Sequence, residues 1–145
     1  MPSMKAKRVF VDTNVFLRYL TNDVPDQAEA FETLLKLAAD AEFSLVADSL
    51  VLAEIVWTLE SYYKLPKQEI QTMIFSILNT PGIEIPEKDM ILQAALWYVD
   101  KNVDFIDAFN AAWMADQGIE SVVTFDQKHF SRFEGIRIES IKELL

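Results

Sequence analysis

The chain has 145 residues, a length that suits one folded domain with its own core. Hydrophobic residues make up 51% of the sequence, so it is too apolar to be an intrinsically disordered protein. The formal net charge of −10 argues against a protein that binds nucleic acid through a broad basic surface. A nucleic-acid substrate would have to be bound locally and with the help of a metal, and the same acidity suits a basic protein partner.

The sequence also excludes several kinds of site. It contains no cysteine, which excludes disulfides and thiolate metal sites, and its single histidine, His129, excludes a His-rich zinc centre. No apolar stretch approaches the roughly 18 residues of a membrane span. The apolar run near the N-terminus ends at Asp12 and is too short for a signal peptide. We therefore expect a cytoplasmic protein with no membrane contact.

Strands and helices are predicted to alternate along the chain. Pro25 suits the first turn of a helix, Asp104 suits a helix cap, and Gly118 suits a helix end. The predicted order is strand 8–11, helices 14–20 and 25–39, strand 43–46, helices 50–63 and 67–78, strand 83–85, helices 87–99 and 104–117, strand 121–124, helical turn 126–130 and strand 136–138. This alternation predicts a single domain over residues 1–145, an α/β fold with three layers (α/β/α) and a central parallel sheet of roughly five strands.

Five carboxylates lie where short apolar runs end or are interrupted: Asp12, Glu54, Asp104, Asp107 and Asp126. Asp12 and Asp126 each follow a strand-like run. Ligands of open α/β sheets bind at the carboxyl ends of the strands, so acidic residues at these ends indicate a site. Gathered at one point, such carboxylates would hold a hard divalent cation with its waters. Metal-dependent phosphoryl transfer is therefore the first hypothesis.

Each of these carboxylates also has an ordinary structural explanation. Asp12 and Asp126 can cap the helical segments that follow them, and Glu54 can belong to a solvated helix face. Asp104 and Asp107, three residues apart at the start of a helix, can simply interact with the helix dipole. No single residue is decisive, and the hypothesis depends on their order along the chain.

Basic residues follow Asp126 in the sequence. Lys128 and Arg132 could bind phosphate oxygens of a substrate beside a metal site, although such residues are usually solvated surface charges. His129 is expected to be a partly buried or surface histidine and not a metal ligand.

The helices predicted at 25–39 and 50–63 have many large apolar side chains for one small domain to bury. We predict an apolar groove with an acidic rim between these two helices. Such a groove suits a basic amphipathic helix from a protein partner. The large side chains concerned are Phe31, Leu34, Leu35, Trp57, Tyr62 and Tyr63.

Four short motifs follow one another along the chain: VFVDTNVF at 9–16, LAEI at 52–55, DFIDA at 104–108 and VVTFD at 122–126. Their order and separation resemble a PIN domain. Within that superfamily the sequence is similar to the VapC-type ribonuclease toxins of toxin–antitoxin pairs. The resemblance covers nearly the whole chain. It implies a parallel five-stranded sheet flanked by helices.

The resemblance also implies roles for individual residues. Asp104 matches a more variable acidic position, Thr124 matches a frequent Ser/Thr beside the site, and Asn14 matches a residue that orients the first aspartate. The acidic quartet of the family is matched by Asp12, Glu54, Asp107 and Asp126.

The activity implied is a ribonuclease that uses Mg²⁺ or Mn²⁺ and cleaves single-stranded RNA. The RNA partner is expected to be single-stranded or structured. Asp12 and Asp107 are expected to be direct metal ligands, while Glu54 and Asp126 hold metal-bound waters or a second ion, or orient the nucleophile. The resemblance further implies a homodimer and inhibition by a cognate antitoxin protein.

Three other functions remain open at this stage. A haloacid-dehalogenase-like phosphatase also places an Asp after its first strand, but it normally needs a second Asp where this chain has Asn14. The chain could instead be a housekeeping RNA-processing nuclease, which would not arrest growth when expressed alone. It could also be a catalytically silent PIN module that only binds proteins, and the intact quartet argues against this.

Overall fold

The computed structural model describes residues 7–40, 43–125 and 127–145. It contains two compact units, Met1–Lys88 and Asp89–Leu145. The expectation of a single domain stays a prediction. Among the described helices, none is both long enough and apolar enough to cross a bilayer.

The first unit contains a three-stranded parallel sheet with the strand order β1-β2-β3. The central strand is the most deeply buried, and its Leu45 is fully inaccessible to solvent. Along the chain the elements are β1 (Lys7–Phe10), α1 (Thr13–Thr21), α2 (Pro25–Ala39), β2 (Phe43–Val46), α3 (Ser49–Ser61), α4 (Lys67–Leu78) and β3 (Ile83–Glu84).

The helices of this unit begin within one residue of their predicted starts. Pro25 is the first residue of α2, where its missing N–H costs nothing and its fixed φ suits a helix. Asp48 caps α3 by accepting a hydrogen bond from the Val51 N–H at 3.0 Å. Leu52 and Ile55 on α3 and Ile70 on α4 are fully buried, so both helices contribute to the core of this unit.

Gly82 allows α2 to approach the turn before β3. It has φ +87°, and a Cβ at this position would lie 2.7 Å from the Cβ of Ala38. Any other residue would meet both backbone strain and a steric clash. The Gly82 carbonyl accepts a hydrogen bond from the Leu45 N–H at 2.9 Å, which places this turn beside the central strand.

The second unit contains a two-stranded parallel sheet in which Val122 pairs with Ile138. The alanine-rich helix buries Ala108, Ala111 and Ala112, since small side chains allow close packing. The elements are α5 (Lys88–Asp100), α6 (Phe105–Gln117), β4 (Ser121–Val123), α7 (Gln127–Phe130), β5 (Arg137–Glu139) and α8 (Ile141–Leu144).

The α/β class and the parallel pairing are confirmed. The described strands form one sheet of three strands and one of two, whereas a single sheet of roughly five strands was expected. The pattern of apolar residues locates strands but does not state which strands share hydrogen bonds. The short helix α8, which Ser140 caps by accepting from the Glu143 N–H, was not predicted.

Candidate active site

Asp12 lies two residues after the end of β1, at the N-cap position of α1. Strand pairing reaches the residue before it, because the Val11 N–H donates to the Val46 carbonyl at 2.8 Å. The Asp12 backbone is extended, as an N-cap requires, but its side chain makes no capping hydrogen bond. The residue is exposed, and no described group donates a hydrogen bond to its carboxylate. The ordinary capping explanation therefore does not account for Asp12.

Glu54 is held by a side chain of another helix. Thr13, the first residue of α1, donates from Oγ1 to Glu54 Oε1 at 2.5 Å. Thr13 is 3% exposed, so its hydroxyl has few alternative partners. Glu54 is thus not only part of a solvated helix face. Thr13 was not among the site residues predicted from the sequence, and the available signal was its place between Asp12 and Asn14 in the DTN motif.

Asn14 is exposed at the start of α1. Among the described residues it makes no hydrogen bond to Asp12. The role of Asn14 in orienting Asp12 stays a prediction.

Asp104, in the second unit, is an N-cap residue that does form its cap. Its Oδ2 accepts hydrogen bonds from the backbone N–H groups of Ile106 at 3.1 Å and of Asp107 at 3.4 Å. These bonds satisfy two donors at the start of α6. The ordinary explanation therefore applies to Asp104, and an additional role in the site stays a prediction.

Asp107 lies in the first turn of α6 and faces the only histidine of the chain. His129 Nδ1 is 3.0 Å from Asp107 Oδ2, and the two side chains are 23% and 25% exposed. His129 is thus partly buried. Its contact with Asp107 was not predicted, because the two residues are separated by most of α6 and by β4. The one signal was the position of His129 three residues after Asp126.

Arg132 makes its hydrogen bonds to the backbone of the second unit. Its Nη1 donates to the carbonyl oxygens of Lys101, at 3.0 Å, and of Asn102. Arg132 therefore supports the α5–α6 connection, a use that the sequence did not indicate. Binding of substrate phosphate by Lys128 and Arg132 stays a prediction.

Two further residues of the predicted site follow β4. Thr124 is the first residue after the strand and is half-buried. Asp126 lies outside the described residues. Its membership of the acidic quartet stays a prediction.

The donor types agree with a magnesium or manganese site, because carboxylate oxygens are the ligands that these hard cations prefer. Asp12 and Glu54 belong to the first unit, and Asp107 belongs to the second. Within the described part of either unit, no group of three or more His, Asp or Glu side chains lies close enough to hold a metal ion. Metal ligation by Asp12 and Asp107 stays a prediction.

An apolar groove was expected between α2 and α3, and it stays a prediction. In the structure α1 packs against both of these helices. Phe31 of α2 is buried against the ring edges of Phe16 and Tyr19 on α1. A mainly apolar cavity of about 470 Å³ lies between α1 and α2 and is lined by Asn14, Val15, Arg18, Gln27, Ala30, Phe31 and Leu34.

Comparisons with known proteins agree with the motifs. The PIN domain family model matches residues 9–136. The VapC ribonuclease of Aquifex aeolicus (strain VF5) is 25% identical over 118 residues, which cover 81% of this chain and 87% of that protein.

Two solved structures are also similar. One is VapBC2 from Rickettsia felis bound to a DNA fragment from their promoter, with 17% identity and a TM-score of 0.38 over 92% of this chain and 98% of that chain. The other is Mycobacterium tuberculosis VapC20, a sarcin-ricin loop cleaving toxin, with 21% identity and a TM-score of 0.35 over 89% and 98%.

Proposed function

The chain belongs to the PIN domain family, and we propose that it is a divalent-metal-dependent endoribonuclease that cleaves single-stranded RNA. The observation that supports this most strongly is the Asp12 carboxylate. An Asp at an N-cap normally stabilises the helix by accepting a backbone hydrogen bond, and Asp12 does not. An exposed carboxylate that follows a parallel strand and makes no cap suits a ligand role.

The other carboxylates have complementary roles in this proposal. Asp12 and Asp107 are the direct ligands of Mg²⁺ or Mn²⁺, while Glu54 and Asp126 orient metal-bound or attacking water. When bound, the cation supplies Lewis-acid stabilisation of charge on the phosphate and lowers the pKa of water. Thr13 fixes one oxygen of Glu54, which limits the orientations that this carboxylate can take. The reaction needs no side-chain nucleophile, in accord with a chain that has no cysteine.

We infer a cytoplasmic role as the toxin of a toxin–antitoxin pair. The motifs that resemble VapC-type toxins and the similarity to a VapC ribonuclease support this role. Trp57 is 64% exposed and Tyr62 is 75% exposed on α3, and large exposed apolar side chains often mark interaction sites. With a net charge of −10, the chain suits a basic amphipathic antitoxin helix. A homodimer is part of the same proposal.

The nuclease activity is tested with the purified chain and matched substrates: single-stranded RNA, double-stranded RNA and single-stranded DNA. Each is incubated with Mg²⁺, with Mn²⁺ or with EDTA. We expect cleavage of single-stranded RNA with either cation and none with EDTA. If no RNA is cleaved with either cation, the proposed activity is wrong.

The toxin role is tested separately by expressing the chain alone in a host that lacks the proposed antitoxin. We expect growth arrest, and rescue when the protein encoded by the neighbouring gene is expressed with it. Sedimentation of the purified chain should show a dimer. Normal growth together with RNA cleavage in vitro would instead favour the housekeeping nuclease.

A further inference from the structure

We propose that His129 is a positioning residue that holds the Asp107 carboxylate in its reactive orientation. This inference rests on the proposed function, in which Asp107 is a metal ligand. The contact itself is a property of the second unit alone: His129 Nδ1 lies 3.0 Å from Asp107 Oδ2. About three quarters of each side chain is removed from solvent, so water competes poorly for this hydrogen bond.

The direction of the bond follows from the partners of Nδ1. The backbone N–H of Asp104 also points at this nitrogen, but at 3.4 Å. One ring nitrogen cannot donate to the carboxylate and accept from an N–H at once. The shorter contact, to a charged acceptor, is the stronger one. Nδ1–H therefore donates to Asp107 Oδ2, which fixes the rotation of the carboxylate about its side-chain bonds.

The backbone that presents His129 is itself held in place. Phe130 and Phe133 are buried, with ring centroids 6.2 Å apart, and Phe133 packs edge-on against Trp97 at 5.1 Å. Arg132 binds the carbonyls of Lys101 and Asn102, just before the Asp104 cap. The segment with the imidazole is thus fixed to the segment that starts α6. Ligating carboxylates commonly have such hydrogen-bonded partners, and losing one costs about 10–100-fold in metal affinity or activity.

Two rival explanations make different predictions. If His129 only stabilised the fold, its loss would lower the melting temperature without a specific effect on metal affinity. If His129 bound the substrate, its loss would raise KM and change the salt dependence of binding. A positioning residue instead affects kcat and metal affinity and leaves KM nearly unchanged.

The test uses three substitutions of His129. His129→Asn places an amide N–H near the position of Nδ1, while His129→Gln and His129→Ala do not. We expect His129→Ala and His129→Gln to lower kcat, and to weaken Mn²⁺ affinity in calorimetry, by about 10–100-fold with little change in KM. His129→Asn should recover most of both losses. Gln127→Ala, an exposed change on the same short helix, is the matched control and should match the wild type.

A second readout needs neither metal nor catalysis. Because the chain has one histidine, all imidazole ¹⁵N signals in its NMR spectrum come from His129. In the metal-free protein, Asp107→Asn should shift the Nδ1–H signals. If these signals do not respond, or if His129→Ala keeps wild-type kcat and Mn²⁺ affinity, the proposal is wrong. It is equally wrong if His129→Asn is as defective as His129→Ala. The wild type could cleave no RNA while its Nδ1–H signals still shift in Asp107→Asn. That result would refute the proposed function and not the hydrogen bond.

Discussion

Thr13 and Glu54 are joined by a hydrogen bond of 2.5 Å from the threonine Oγ1 to the glutamate Oε1. Thr13 is adjacent in sequence to Asp12 and is buried. One side chain thus links the carboxylate of α3 to the first residue of α1. Thr13 is not a member of the predicted quartet. It connects two of its members in the first unit, Asp12 through the backbone and Glu54 through the hydrogen bond.

Thr13→Val tests this connection. Valine keeps the shape of threonine but removes the hydroxyl, so Glu54 loses its fixed partner. We expect RNA cleavage to fall by about 10–100-fold, as for other residues that orient site carboxylates. The free energy of unfolding should fall by about 1–2 kcal/mol. Thr13→Ser, which keeps the hydroxyl, should retain most of the activity in the same cleavage assay. Equal activity in Thr13→Val and wild type would show that the bond has no role in catalysis.

Asp23 connects α1 to the end of α3 and makes stability depend on pH. Its Oδ2 accepts hydrogen bonds from the Tyr63 hydroxyl at 2.7 Å and from Arg18 Nη1 at 3.0 Å. Chiefly the Tyr63 bond, and also the charge of Arg18, lower the pKa of Asp23 below its ordinary value of 3.8. Because the folded pKa is depressed, the stabilisation is present above the unfolded value and is lost as pH falls through the folded one.

Tyr63→Phe removes this hydrogen bond and should therefore lower the melting temperature at neutral pH. The difference from wild type should shrink as pH falls below 3.8, because the unfolded chain then binds a proton at Asp23 more readily than the folded chain does. Thermal melts from about pH 7 down to about pH 2.5 measure it. Tyr62→Phe, an exposed neighbour, is the control and should change little at any pH. A constant difference between Tyr63→Phe and wild type over this range would contradict the assignment.

A divalent cation should stabilise the folded chain. Binding to the native state alone adds about 2.7 kcal/mol when the ligand concentration is about 100 times Kd. We expect millimolar Mn²⁺ to raise the melting temperature of the wild type, and Asp12→Asn to weaken this response. Calorimetric melts with and without Mn²⁺ measure both. A melting temperature that does not respond to Mn²⁺ would count against a carboxylate metal site.

The contrast between Asp12 and Asp104 shows what the sequence can predict. Both residues occupy N-cap positions, and in the sequence both were candidates for a cap and for the site. The structure shows that Asp104 accepts two backbone hydrogen bonds and that Asp12 accepts none from α1. Whether an Asp at an N-cap makes the capping hydrogen bond depends on its side-chain rotamer and on the local loop geometry, which residue types do not specify.

Local signals predicted the helices better than the contacts between elements. The bounds predicted for α2 and β2 agree with Pro25–Ala39 and Phe43–Val46, because proline, apolar spacing and turn residues act locally. The contact between Asp107 and His129 and the pairing of β4 with β5 join residues that are far apart in sequence. Periodicity contains no information on such contacts, so they had to come from the structure.

Our central claim is that carboxylates of this chain bind the divalent cation that RNA cleavage requires. Its most direct test is the rate of Mg²⁺-dependent cleavage of single-stranded RNA by Asp12→Asn and Asp107→Asn, with Asp26→Asn as an exposed control that also loses one charge. Each site variant should melt near the wild-type temperature, since only a ligand charge is removed. We predict a loss of about 100-fold or more in both site variants and wild-type activity in the control. Unchanged cleavage by either folded site variant would contradict the claim.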